Sequence, residues 1–157
     1  MTLPFLISPK GEQPVRLQGH FAASPARVFR AWTTARELEQ WFGRDAAPMH
    51  FSVDARVGGS WSAQYDGPQG AKNTLKGVYL EVEPDRKLVF SWMHERVNPD
   101  GSVETTKEST VTVTFEPDGD GTQLGLLHEG IEREIARSNV GEGWSASFAA
   151  LQSHLAA

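Results

Sequence analysis

Two histidine–glutamate pairs, His94-Glu95 and His128-Glu129, are the residues whose types could carry out acid–base chemistry in this sequence. Each pair follows a stretch in which apolar and polar residues alternate, which is typical of a β-strand. Neighbouring side chains on a strand point to opposite faces of the sheet, so a histidine and the glutamate beside it cannot serve one site together. An acid–base site must therefore be built from residues of different strands.

Alternation assigns both histidines to the inner face of the expected sheet. His94 lies two residues after Trp92, and His128 lies two residues after Leu126, so each shares a face with an apolar neighbour. Two inward histidines, with Tyr65 as a third group, could act as general acid and base or hold a substrate oxygen. The alternative is that both histidines lie at the rim and are satisfied by water or backbone atoms, which leaves no catalytic residue.

The remaining potential metal ligands do not form a motif. The five histidines show neither HxH nor HxxxH spacing, and no carboxylate cluster accompanies them. The sequence has no cysteine, which excludes disulfides, zinc–thiolate sites, iron–sulfur clusters and cysteine nucleophiles. We therefore expect neither a metal nor a cofactor. The histidines are His20, His50, His94, His128 and His154.

Charge and hydropathy limit the class of partner. The net charge is −5 and no run of Lys and Arg occurs, which disfavours nucleic-acid binding. No apolar stretch approaches the roughly 18 residues that span a bilayer, and the N-terminal residues lack the pattern of a signal peptide. The sequence therefore predicts no membrane partner and a cytoplasmic location.

The hydrophobic period changes twice along the chain. A strand is predicted over 15–21, after which Ser24-Pro25 provides the N-cap and first position of a short helix. A second short helix is predicted over 36–41, ended by Gly43, whereas the first dozen residues predict no element. From residue 49 onward the period is two, which predicts about six strands joined by tight turns. These strands are expected over 49–55, 60–65, 73–82, 88–94, 109–115 and 122–128.

The final element is a long helix from about Glu132, on which Trp144, Phe148, Leu151 and Leu155 form an apolar stripe. Strands joined by tight turns are antiparallel neighbours, and the helix can bury its stripe only against their apolar face. A strongly curved sheet cannot touch a straight helix along its whole length, so we expect a cavity between them. The prediction is a single α+β domain, 1–157, with its core in about 15–156.

Aromatic residues come from every element that borders the expected cavity. Their other role is core packing, and we expect about half of them to have only that role. Alternation leaves Tyr79 ambiguous, because Val78, Leu80 and Val82 form an apolar face of their own. The residues predicted to line the ligand site are Trp32, Trp41, Trp61, Tyr65, Phe90, Trp92, His94, His128, Trp144 and Phe148.

Six sequence motifs occur in an order that resembles a known family. They are SPARVFRAWT at 24–33, LEQWFG at 38–43, VGGSW at 57–61, GVYLEVEP at 77–84, LVFSW at 88–92, and Gly143-Trp144. Over residues of about 15 to 156 the chain resembles bacterial proteins similar to the C-terminal domain of the activator of Hsp90 ATPase. These belong to the START-like, or polyketide cyclase/Bet v 1-like (SRPBCC), superfamily. The resemblance implies a helix-grip fold, in which the curved antiparallel sheet surrounds the C-terminal helix and a cavity.

The resemblance implies less about activity, because one fold serves many functions. Members of the superfamily bind lipids, hormones or polyketides, and a few catalyse cyclisations or dehydrations. We expect binding of a small hydrophobic or amphipathic molecule without a reaction. One alternative is a cyclase- or dehydratase-type enzyme that uses His94 or His128 with Tyr65. Another is a protein-interaction module, with a chaperone or a regulatory protein as its partner, and an uncovered edge strand would favour a homodimer.

Overall fold

A computed structural model describes residues 6–7, 13–42, 48–131 and 133–156. The helices are α1 (Pro25–Thr33), α2 (Ala35–Trp41) and α3 (Glu134–Ala156), and a 3-10 turn occupies Pro68–Gly70. None of these helices is long and apolar enough to cross a lipid bilayer. The strands are β1 (Leu6–Ile7), β2 (Val15–Phe21), β3 (His50–Val53), β4 (Ser60–Asp66), β5 (Lys72–Glu83), β6 (Lys87–Val97), β7 (Val103–Thr105), β8 (Ser109–Asp118) and β9 (Gly121–Glu129).

The described strands form one antiparallel sheet in the order β1-β2-β9-β8-β6-β5-β4-β3, and β7 pairs with β6 beside this path. One edge of β6 has two partners: its first half pairs with β8 and its last residues pair with β7. The connection from β2 to β3 joins the second strand of this order to the last, so α1 and α2 lie along a crossing from one side of the sheet to the other. This arrangement confirms the predicted α+β helix-grip fold.

Local sequence determines how α1 and α2 begin and pack. The Ser24 hydroxyl accepts a hydrogen bond from the backbone N–H of Arg27 at 3.2 Å, and Pro25 opens α1, as the sequence predicts. The indole Nε1 of Trp41 donates to the carbonyl oxygen of Ala31 at 3.0 Å. This buried hydrogen bond fixes α2 against α1.

The C-terminal half of α3 packs into the core against the sheet. Trp144, Phe148 and Leu151 are 3%, 0% and 0% exposed, which confirms the predicted apolar stripe. The ring of Phe148 meets that of Phe21 on β2 edge to face, with 5.7 Å between the ring centroids. Leu155 packs against the same cluster but is only partly buried.

Glu37 joins all three helices through a cluster of charged side chains. Its carboxylate accepts hydrogen bonds from Arg27 Nη1 at 2.6 Å and Arg30 Nε at 3.1 Å, both on α1. His154, near the end of α3, lies 2.9 Å away through Nε2. Burial alone would raise the pKa of Glu37, but the hydrogen bonds from His154, Arg27 and Arg30 outweigh it and lower that pKa. The cluster therefore holds the last turns of α3 to α1 and α2.

The sequence pattern did not predict the two shortest strands. β1 pairs with β2 through Leu6 and Gln18, although no element was expected in this stretch. β7 pairs with β6 through Val103 and Val97. Strands of two or three residues are too short to show an alternation. Gly43, the expected end of α2, lies outside the described residues, as does residue 132, where α3 was expected to begin.

The structure resolves which face of β5 is inward. Tyr79 is 4% exposed, whereas Val78 and Leu80 are 40% and 46% exposed. The pairing with β6 shifts its register between Tyr79 and Glu81, which marks a β-bulge. The bulge turns Val82 toward the core, against which it packs, so Val82 does not share the outer face with Val78 and Leu80 as strict alternation predicted.

A leucine-to-alanine substitution should lower the free energy of unfolding more on the inner face of the sheet than on the outer face. Leu124 on β9 is fully buried, so Leu124→Ala should lower the free energy of unfolding by about 2–5 kcal/mol. Leu80→Ala, on the outer face, should lower the free energy of unfolding by less than about 1 kcal/mol. Urea unfolding of both variants measures this difference, and equal losses would contradict the assignment of faces.

Candidate functional site

A cavity of about 730 Å³ separates the N-terminal half of α3 from the sheet. Residues 136, 140, 143 and 147 of α3 line it, and their spacing places them on one face of the helix. This face carries Ala136, Val140, Gly143 and Ser147. A Cβ atom added to Gly143 would meet no other atom within 4 Å. The small residues of α3 therefore leave open space on the side of the helix that faces the cavity.

Aromatic rings form the end of the cavity at which α3 approaches the sheet. Phe42, Trp92 and Trp144 all line it. The ring centroid of Trp144 lies 5.3 Å from that of Phe42 and 5.4 Å from that of Trp92. Leu75 of β5 and Met49 add further apolar surface. A bound molecule would meet mainly aromatic and aliphatic groups here.

The opposite part of the cavity is polar and open to solvent. Among the described residues, the cavity lining contains two charged side chains, Lys107 and Arg133, and both are cationic. They lie on the segments before β8 and before α3. The exposed lining residues are Thr105, Thr106, Lys107, Gly130, Arg133, Asn139 and Gly143.

His128 lies directly behind this lining, and both of its ring nitrogens are used by the protein. Trp144 Nε1 donates to His128 Nδ1 at 3.1 Å, so Nδ1 must be the unprotonated nitrogen. The proton is then on Nε2, which donates to the Ser109 hydroxyl at 2.8 Å. Ser109 in turn donates to the carbonyl oxygen of Trp92 at 3.3 Å. This chain of hydrogen bonds requires a neutral imidazole.

Burial lowers the pKa of His128 to about 4, since water cannot solvate a charged ring at a position that is 0% exposed. The ring is thus neutral near pH 7. Alternation correctly predicted that His128 faces inward, but the structure places it in the core, satisfied by Ser109 and Trp144. This geometry agrees with the alternative of a structural histidine, although the partners are side chains instead of water or backbone.

His94 lines the cavity itself, as alternation predicted for an inward residue. Its Nε2 lies 2.8 Å from Asn73 Oδ1, to which it donates a hydrogen bond. Its ring stacks on that of Tyr65 with centroids 6.5 Å apart. Burial, and then the nearby charge of Arg96, lower the pKa of His94, while burial raises that of Tyr65. Both groups are therefore neutral hydrogen-bonding groups at neutral pH.

A second, much smaller void of about 20 Å³ lies deeper in the protein. Phe42 and Trp92 line both spaces, so their side chains form the wall between them. Their ring centroids are 6.0 Å apart. The void is lined by Trp32, Leu38, Phe42, Phe51, Val53, Trp61, Tyr79, Leu88, Phe90 and Trp92.

The ten residues predicted to line a ligand site thus lie in four places. Tyr65, Trp92, His94 and Trp144 line the cavity. Trp32, Trp61 and Phe90 line the void together with Trp92. His128 lies behind the cavity wall. Trp41 and Phe148 are fully buried in the core.

Sequence reasoning missed the small and polar part of the lining. Ala136, Val140, Gly143 and Ser147 recur at helical spacing on α3, a signal that could have been found from the sequence. The residues of the polar opening lie in short connections, where no periodicity indicates which way a side chain faces. Among the described residues, no three metal-ligating side chains come together.

The buried, neutral His128 predicts a pH dependence of stability. Its pKa is about 4 in the folded chain and near 6.5 when unfolded, so the unfolded chain binds the proton first as the pH falls. The free energy of unfolding should therefore decrease between about pH 6.5 and pH 4, by about 3 kcal/mol from this residue alone. Glutamine can keep both hydrogen bonds but does not titrate, so the free energy of unfolding of His128→Gln should lack this decrease between about pH 6.5 and pH 4. Urea unfolding at pH 7, 5.5 and 4 measures the difference.

The exposed His20 provides the control, because its side chain is 47% exposed. His20→Gln should retain the pH dependence of the unsubstituted protein. The same pH dependence in His128→Gln as in the unsubstituted protein would contradict the assignment of a neutral histidine.

Comparison with known proteins identifies the family. The model of the family described as Activator of Hsp90 ATPase homolog 1-like protein matches residues 22–156. No curated protein matches the sequence. A protein of Chromobacterium violaceum is 26% identical, with a TM-score of 0.75 over 90% of this chain and 96% of that one.

Two further solved structures are similar to this chain. An AHSA1 protein of Silicibacter pomeroyi is 25% identical, with a TM-score of 0.76 over 91% of this chain and 97% of that one. A protein of Arthrobacter aurescens shares the fold at 22% identity, with a TM-score of 0.78 over 96% of this chain and 91% of that one. The family model spans most of the chain, and the protein therefore belongs to the Activator of Hsp90 ATPase homolog 1-like family.

Proposed function

We propose that this protein binds one small amphipathic molecule, mainly apolar, in the cavity between α3 and the sheet. The observation that carries this proposal is the cavity itself, whose volume is about 730 Å³. Small-molecule sites usually measure about 300–1,000 Å³ and are lined by apolar and aromatic groups with a few polar ones. The lining of this cavity has that composition.

The cavity is a concave site that opens to solvent at its polar part. Small-molecule sites are typically clefts or cavities of this kind. The core beside the cavity is densely filled, with Phe148, Leu151 and Leu124 all 0% exposed. The space also coincides with a face of α3 on which the side chains are small. A bound molecule in this space would explain why the core is filled while this face of α3 is left open.

The distribution of polarity supports an amphipathic ligand with a defined orientation. Phe42, Trp92 and Trp144 offer an apolar end, whereas Lys107 and Arg133 carry the charges at the solvent-exposed part of the lining. A hydrophobic body gains free energy by leaving water at the aromatic end. A polar or anionic group gains most by remaining at the opening, close to water and to the cationic side chains.

The polar groups inside the cavity are better suited to holding a ligand than to transferring protons. His128 is occupied by Trp144 and Ser109 through both ring nitrogens. His94 already donates to Asn73, and Tyr65 stacks against it as a neutral phenol. Binding without a reaction is therefore the function that we propose.

Substitutions at Gly143 test the proposal, because Gly143 lines the cavity and a Cβ atom added there would have no atom within 4 Å outside its own stretch of helix. Gly143→Ala adds one methyl group and should stabilise α3 by about 1 kcal/mol while leaving the cavity open. Gly143→Phe places a ring in the cavity and should weaken the binding of the fluorescent probe 8-anilinonaphthalene-1-sulfonate by roughly tenfold or more. A fluorescence titration of the two variants and the unsubstituted protein measures this effect.

Thermal unfolding of each variant verifies that the comparison is made on folded protein. Equal probe affinity in Gly143→Phe and Gly143→Ala would show that the probe binds elsewhere and would contradict the proposed site. Failure of the unsubstituted protein to bind the probe at all would also count against it.

A further inference from the structure

The indole N–H of Trp32 is a buried donor that finds no acceptor among the described residues. Trp32 is 3% exposed, and its Nε1 has no hydrogen-bond partner in the described part of the chain. Three of the other tryptophans do have protein acceptors: Trp41 donates to Ala31, Trp61 to Ser91 and Trp144 to His128. Buried polar groups are nearly always paired, because leaving one unpaired is costly. An exception at this depth calls for an acceptor from outside the chain.

The space for such an acceptor lies beside the same residue. Trp32 lines the void of about 20 Å³, which has room for one atom group the size of a water molecule. The lining is hydrophobic, and the N–H of Trp61 is already bonded to the carbonyl oxygen of Ser91 at 3.0 Å. A buried water usually needs two to four polar partners, so this void suits a single acceptor oxygen attached to an apolar body better than it suits a water.

The void is adjacent to the proposed ligand cavity. Phe42 and Trp92 line both, and Trp144, which lines the cavity, stacks on Trp32 with 5.8 Å between the ring centroids. A ligand that displaces these rings would connect the two spaces. A ligand lying along the cavity would then place its inner end at Trp32.

We propose that Trp32 Nε1–H is the specificity-determining donor for the ligand, which carries a ketone, quinone, lactone or ether oxygen on its buried edge. This inference rests on the proposed function and names the ligand class more closely: a flat apolar molecule with a hydrogen-bond acceptor on the edge that enters first. The acceptor oxygen occupies the void, and the apolar body occupies the cavity. A hydrocarbon of the same shape leaves Trp32 unpaired and binds more weakly.

The matched probes fluorenone and fluorene test this inference, because they have the same ring system and differ by one carbonyl oxygen. The unsubstituted protein should bind fluorenone roughly tenfold more tightly than fluorene. Trp32→Phe keeps an aromatic ring but removes the donor, and the preference should fall to about onefold to twofold. Trp61→Phe is the control. Trp61 borders the same void, but its N–H already donates to Ser91, so the preference for fluorenone over fluorene should persist in this variant.

Nuclear magnetic resonance of protein labelled with ¹⁵N-tryptophan gives a second measurement that does not depend on the variants folding. The indole proton of Trp32 should move downfield on addition of fluorenone and stay nearly unchanged with fluorene. If Trp32→Phe does not fold, this pair of spectra decides alone.

The outcomes separate this inference from the function on which it rests. Binding of both probes with equal affinity, or a preference that survives in Trp32→Phe, would overturn the role of Trp32 while leaving the cavity as a binding site. Binding of neither probe would overturn both proposals. A fluorenone preference that disappears in Trp32→Phe and persists in Trp61→Phe supports both.

Discussion

The hydrogen bond from Trp144 to His128 is the contact on which the shape of this protein depends. It joins α3 to β9 at 3.1 Å, in the middle of the helix. On the C-terminal side of this contact, Phe148 and Leu151 are fully buried and the helix is packed against the sheet. On its N-terminal side, the face of α3 that carries Gly143 borders the cavity. This polar contact between two aromatic residues thus lies where the filled core meets the cavity.

The same contact explains why inward histidines need not indicate catalysis. His128 accepts from Trp144 and donates to Ser109, which holds the ring in one tautomer and keeps it neutral. Its role is to fix the position of α3 relative to β8 and β9. Stability and the proposed ligand binding are therefore assigned to different residues: the His128 chain and the Glu37 cluster hold the helix, while the open face of α3 and the aromatic wall shape the cavity.

The period of the sequence was sufficient to predict the seven longer strands, the long helix and the inward faces of His94 and His128, because alternation and helical spacing follow directly from backbone geometry. It could not predict that Trp144 meets His128, since residues 16 positions apart are brought together only by the path of the chain. The void beside Trp32 was equally inaccessible, because it depends on how ten side chains from separate elements pack. Strand β5 shows a third limit: apolar residues on both of its faces left Tyr79 ambiguous, and the β-bulge that turns Val82 toward the core is not visible in the sequence.

Native mass spectrometry of the purified protein tests the central claim that the cavity holds a small molecule. We expect an adduct of roughly a few hundred daltons, present on the protein as purified or after equilibration with fluorenone, and lost on denaturation. The adduct should be reduced or absent in Gly143→Phe. A spectrum that shows only the mass of the chain in both preparations of the unsubstituted protein would show that the cavity does not hold a small molecule.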